Sequence, residues 1–323
     1  MEAQGLEVYA PRAGRFLAVP EAIDIFGLFL HILGMPPHNP NYKGDYGEFV
    51  AWMRAAQERG AALMEVDAAL TRYIEDRQQE IAVAVADLEA LERVVERHRW
   101  DPKAVYDRDV MRRPLYEAAG LSDRAQRLLG SSHFDRIAQR RQEEGEPFTL
   151  DHIITRATSL DWNVLDVFYR LCGFRHFRVM FDLAQSGKDE GPVYNLAYIS
   201  QFLARFIDEY TPLISAHILS GGMFKLIFFM SYLYSLFRRR ESEYEDAEDP
   251  FPKGRIPFIT IHQAKGLEFP VVVLPTPRRY THSVRRVELF TRPFLEREPG
   301  EPLDRQDDFD SLRLFYVALS RAK

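Results

Sequence analysis

The sequence predicts an α/β domain interrupted by a large helical insertion. Three observations carry this expectation. Both ends hold short apolar runs punctuated by Pro and Gly, the pattern of strands and turns. The stretch from about residue 46 to 240 has few strand signals and many apolar residues at helical spacing. A block of charge then separates the two styles. Arg238-Arg239-Arg240 gives way to Glu241, Glu243, Glu245, Asp246, Glu248 and Asp249, followed by Pro250, Pro252 and Gly254. Such a block reads as a solvated loop.

In chain order, residues 6–10 form a short strand candidate that Pro11 and Gly14 break. Pro20-Glu21 opens a helix, because Pro suits the first turn and Glu favours the positive end of the dipole. That helix stops at Gly34, with Pro36 and Pro37 beyond. Residues 35–45 read as a linker. From Ala61 to Trp100 neither Gly nor Pro occurs, and apolar residues recur from Leu63 to Val95 with one polar interruption, Asp76 to Glu80. One long helix or a helix pair both fit. Thr149 to Leu165 holds two short helices with Asp151 and Asp161 as candidate caps. Asn195 to Tyr210 is apolar on one face. The most apolar stretch, Met223 to Phe237, is broken by Lys225 and by Ser and Tyr, so it reads as a buried helix rather than a membrane span. At 256 an α/β strand–turn–strand begins, with Ile256 to Ile259 before the turn and Val271 to Leu274 as a buried strand after it.

Bulk composition narrows the function. A length of 323 residues suggests two domains, and 46% apolar residues suffice for real cores. The net charge of −6 excludes a globally basic nucleic-acid binder and leaves local patches to make any DNA contact. A single cysteine, Cys172, excludes an internal disulfide framework and a cysteine-based zinc site, which fits a reducing cytoplasm. No leader-like apolar region opens the chain and no apolar run reaches membrane length.

The chemistry concentrates in the last 70 or so residues. Residues 260–269 read Thr-Ile-His-Gln-Ala-Lys-Gly-Leu-Glu-Phe, placing His262, Lys265 and Glu268 between two apolar runs, with Gly266 among them. An ordinary turn has no need of three ionisable groups at that spacing, whereas a phosphate and ribose site does. This segment resembles motif V of the UvrD/Rep/PcrA-like superfamily 1 DNA helicases. Residues 313–323, Arg-Leu-Phe-Tyr-Val-Ala-Leu-Ser-Arg-Ala-Lys, resemble their motif VI, with Ser320 where Thr is commoner. Gly5 to Ala10, Gly14 to Leu17 and Glu21-Ala22 resemble the entry into the family's second motor domain. The matches occur in family order.

The resemblance implies a RecA-like parallel-sheet domain (2A), incomplete here, that is interrupted by a helical domain (2B). Residues 1–38 and 251–323 would be the two parts of 2A, and 39–250 the insertion. It implies a ribose contact for Glu268, consistent with a carboxylate accepting from sugar hydroxyls. It places Lys265 near the terminal phosphate, and Gly266 would permit close backbone approach. Thr260 and His262 resemble residues that touch the DNA backbone, a contact without base information. Arg321 resembles the arginine that reaches the γ-phosphate across the cleft between the two motor domains. An arginine finger of this kind accelerates related NTPases about 10³–10⁵-fold. Tyr316, Val317 and Leu319 read as core. Arg278 and Arg279, with Tyr280, His282, Arg285 and Arg286 close behind, suit single-stranded nucleic acid, although the family carries a Gly/Glu-rich loop there.

No Gly-x-x-x-x-Gly-Lys-Ser/Thr phosphate loop occurs in the sequence, and no apolar strand ends in paired Asp-Glu to seat Mg²⁺. In the family both belong to the first, N-terminal motor domain. The expectation is therefore a fragment of a longer ATP-dependent, 3′→5′ DNA helicase or translocase. It would use ATP with Mg²⁺ only together with that domain, act on single-stranded and junction DNA, and be inactive alone. Two alternatives stand beside it: part of a RecB- or AddA-type helicase-nuclease subunit, and an interaction module with a vestigial motor.

Overall fold

The computed structural model describes residues 8–9, 16–38, 43–210, 213–239, 254–261, 264, 267–274 and 306–323. The chain divides into two compact units, Met1–Ile256 and Pro257–Lys323.

The first unit is helical. Its elements are α1 (Pro20–Leu33), α2 (Asp45–Val66), α3 (Ala68–His98), α4 (Arg108–Tyr116), α5 (Asp123–Leu129), α6 (Ser132–Glu143), α7 (Leu150–Ala157), α8 (Val164–Cys172), α9 (Arg175–Gln185), α10 (Gly191–Glu209) and α11 (Ala216–Ser220). A last helical stretch runs from Met223 to Arg239, and its middle, Leu226–Leu233, is π-helical. Among the described residues the sheet is limited to two-residue strands, Val8–Tyr9 and Ile256–Pro257, paired where the first unit ends. The helix-rich centre matches expectation. The parallel sheet implied by the resemblance is not seen among the described residues.

Local signals explain most boundaries. Helix α1 starts at Pro20 and ends at Gly34, whose φ of 79° suits glycine. The long apolar-periodic region is two helices, and the junction is Asp67 rather than the polar run 76–80. The Asp67 carboxylate accepts from the amides of Ala69 and Leu70, ending α2 and capping α3. Residues 76–80 lie inside α3, where Arg77 pairs with Glu80 at 2.6 Å and Trp162 Nε1 donates to Glu80 at 2.6 Å. The caps of α7 and α8 are Thr149 and Asn163, not Asp151 and Asp161. Asp151 sits in the first turn of α7, and Asp161 instead accepts from Arg124 at 2.7 Å.

The core centres on α1. Phe26 and Phe29 pack with Phe228 of the π-helical stretch, which also meets Phe206 of α10 at a ring separation of 4.9 Å. Helices α1 and α2 cross at Gly27, Ala56 and Gly60, and a β-carbon built on Gly27 would clash with the Ala56 carbonyl oxygen. Polar groups tie α1 outward. Asp24 is only 1% exposed, accepts from Arg59 Nε of α2 at 2.7 Å, and bonds His176 Nε2 of α9 at 2.7 Å. Glu21 accepts from Asn195 of α10 at 2.8 Å. A buried carboxylate is tolerated because each is partnered. At the far end of the unit, Arg255 grips Asp189 through two hydrogen bonds of 2.8 and 3.0 Å. That contact holds the Asp189 carboxyl below its ordinary range.

Candidate functional site

The described part of the second unit is built from a looped segment and one helix. Ala264 N–H donates to Thr260 carbonyl oxygen at 3.1 Å, and Leu267 N–H donates to Ala264 carbonyl oxygen at 3.1 Å. These two turns carry the chain to Glu268 and bury Ala264. The helix Gln306–Leu319 closes with a last turn in which Ser320, Arg321 and Ala322 donate to Tyr316, Ala318 and Leu319.

The two segments then join. Phe269 and Ala322 form a parallel bridge, in which Phe269 N–H donates to Arg321 carbonyl oxygen at 2.8 Å and Lys323 N–H to Phe269 carbonyl oxygen at 2.9 Å. Side chains alternate along an extended backbone, so Glu268 and Lys323 turn to the face opposite Phe269 and Ala322. There Lys323 Nζ sits 2.8 Å from Glu268 Oε2. This hydrogen bond and the Lys323 charge hold the Glu268 carboxyl below its ordinary range, and the Arg321 charge adds to the effect. Glu268 in turn raises the Lys323 ammonium above its ordinary value. Among the described residues, Glu268 Oε1 accepts no hydrogen bond.

Arg321 lies folded on its own helix end. Its Nε donates to Val317 carbonyl oxygen at 3.3 Å and one Nη donates to Ser320 Oγ at 3.1 Å, while Ser320 Oγ–H donates to Val317 carbonyl oxygen at 2.8 Å. A cation at a helix C-terminus is favoured by the unpaired carbonyls. These are neutral acceptors, and an anion offers Arg321 stronger, charge-assisted bonds.

Of the sequence-expected site residues, the structure brings Glu268 and Arg321 together. Thr260 is exposed at the start of the same turns. His262, Lys265, Gly266, Arg278 and Arg279 lie outside the described residues. Lys323 and Ser320 were not singled out from sequence. The missing signal was register, since only the Phe269–Ala322 bridge sets which motif VI residues face Glu268. Two packing expectations are corrected here. Val271 to Leu274 is not a buried strand: Val271 and Val273 are 75% and 79% exposed. Among the described side chains of the C-terminal helix Ala318 is the buried one, at 3%, while Tyr316 is 75% exposed and Leu319 is exposed too. Among the described residues only the bridge pairs with the 267–274 segment, so the apolar run there has no neighbouring strand to bury it.

The clefts of the helical unit belong to other surfaces. One of about 310 Å³ includes Arg156, Asp161 and Trp162 in its lining, and one of about 530 Å³ includes Arg108, Arg112 and Arg113. Among the described residues no three His, Cys, Asp or Glu side chains are grouped as metal ligands, and no helix is long and apolar enough to cross a membrane.

The bridge thus joins Leu267-Glu268-Phe269 to the helix end Ser320-Arg321-Ala322-Lys323, within the two segments that carry the helicase resemblance. The comparison with known families makes this specific: residues 184–323 match the UvrD-like helicase C-terminal domain. This stretch contains both motif segments and is similar to the C-terminal part of UvrD-like helicases. No curated protein and no solved structure matches the chain.

Proposed function

We propose that the second unit supplies one side of an ATP site in a DNA helicase or translocase of 3′→5′ direction. One observation carries this reading: the bridge between Phe269 and Ala322 puts the Glu268 carboxylate beside two cations, Arg321 and Lys323. Glu268 accepts from the ribose hydroxyls through its open Oε1. Arg321 leaves Val317 and Ser320 and turns its guanidinium to the γ-phosphate, where a permanent charge and paired N–H donors fit the oxygens. Lys265 and Gly266 complete the phosphate side in this reading. Thr260, His262, Arg278 and Arg279 contact the phosphates of single-stranded or junction DNA.

The residues at hand fit the sugar and the terminal phosphate of a nucleotide. Among the described residues no cation site is grouped, and in this reading Mg²⁺, which would neutralise phosphate charge, is held by a first motor domain carrying the phosphate loop. In this reading residues 1–38 and 251–323 make up the motor part and 39–250 the insertion. Hydrolysis requires the partner domain, and this chain alone turns over no ATP.

The test is ATP and ADP binding to the full chain and to Arg321→Ala. An arginine that reads the γ-phosphate gives ATP an advantage over ADP, and its loss should cut that advantage about tenfold. An unchanged ATP-to-ADP ratio in Arg321→Ala would overturn the assignment of Arg321.

A further inference from the structure

We propose that Lys323 is a positioning residue for Glu268, fixing one carboxylate oxygen so that the other is presented to the ribose. The proposal rests on the ribose reading of Glu268 given above.

Its basis is the division of labour between the two oxygens. Oε2 is taken by Lys323 Nζ at 2.8 Å, while Oε1 accepts no hydrogen bond among the described residues. An ionised carboxylate has about four lone-pair sites, so one ammonium leaves room for both ribose hydroxyls. The backbone makes the pairing more than a chance meeting of two long side chains. The Phe269–Ala322 bridge sets the register, and Lys323 N–H donates to Phe269 carbonyl oxygen, so the lysine is anchored at the residue next to Glu268. An exposed ion pair without such an anchor would lose its geometry to side-chain entropy. Arg321 cannot take over this role while it is bound to Val317 and Ser320.

The pair also fixes the charge state. Lys323 lies on Glu268 and Arg321 is the further cation acting on it, so the carboxylate stays ionised below the ordinary carboxylate range. An ionised acceptor bonds hydroxyls more strongly than a carboxylic acid does. Selection for a sugar bearing both hydroxyls follows, because an analogue lacking them leaves Oε1 without its partners.

The experiment compares ATP with 2′,3′-dideoxy-ATP for the full chain and for Lys323→Met, Lys323→Arg and Glu268→Gln, by calorimetry across pH. The wild type should prefer ATP about tenfold, Lys323→Met should reduce the preference to about twofold, and Lys323→Arg should restore most of it. In the wild type the preference should fade only below the ordinary carboxylate range, and in Lys323→Met the midpoint should move up towards it. Loss of the preference in Glu268→Gln with none in Lys323→Met would overturn the positioning role and leave the ribose reading standing. Equal binding of the two nucleotides by the wild type, or no binding of ATP up to about 10 mM, would overturn both.

Discussion

The two units of this chain are organised by different rules. In the helical unit the rings of Phe26, Phe29, Phe206 and Phe228 are fully enclosed, and side-chain caps at Asp67, Asp107, Ser122, Ser131, Thr149 and Asn163 close the helix starts. In the motif-bearing unit the buried apolar residues among those described are Ala264 and Ala318, while Phe258, Val271, Val273, Leu312 and Tyr316 are exposed. A backbone bridge and an ion pair join its two described segments. Among the described residues, one unit encloses many large apolar side chains and the other leaves several exposed. Mutations should therefore separate stability from ligand binding.

The largest expected effect is in the helical core. Phe228→Ala removes a ring at the meeting point of α1, α10 and the π-helical stretch, and should destabilise the helical unit by about 3–5 kcal/mol in urea denaturation. Val273→Ala, at an exposed site, should stay within about 0.5 kcal/mol. A loss at Val273 equal to that at Phe228 would break the contrast. Next comes Gly27→Ala. Its methyl meets the Ala56 carbonyl in the α1–α2 crossing, and the cost should be about 1–3 kcal/mol as overpacking.

Smaller effects depend on pH. Burial pushes the Cys172 thiol up to about 12 from an ordinary 9.0. The folded state therefore binds this proton more tightly than the unfolded state. Its contribution to stability is fully present below about pH 9 and is lost as pH rises towards 12. Alkylation of Cys172 at pH 8 should be slow in the native protein and fast after denaturation. The Glu268–Lys323 pair behaves in the opposite sense at the acid end. The carboxyl is held low, so the pair is intact above the ordinary carboxylate range and breaks as pH falls through the depressed value. Lys323→Met should leave the thermal midpoint of the helical unit unchanged, since that residue is exposed and outside its core.

Sequence made the helical unit legible where a signal was local. Pro20 and Gly34 mark α1 because proline and glycine act through their own backbone. Asp67 was overlooked because the polar run 76–80 looked more disruptive than a single residue. Yet Arg77 and Glu80 find partners along and across α3, whereas Asp67 competes for backbone amides. The π-helical register of Leu226–Leu233 left no trace, as that stretch is apolar around most of its circumference and shows no stripe. In the motif-bearing unit only the order of the residue types around Glu268 and Arg321 was legible. Their register was not, because the bridge joins positions far apart in the chain. The strand expected at 271–274 failed for a related reason: a continuous apolar run needs neighbouring strands to bury it.

In the function proposed above, residues 267–269 and 320–323 act as one lip for a nucleotide. Backbone amide shifts of the full chain during titration with ATP test it directly. Leu267, Glu268 and Phe269 should move together with Ser320 to Lys323 along one binding curve, while α1 and α10 stay still. Shifts confined to one of the two segments, or falling instead on the helical unit, would contradict it.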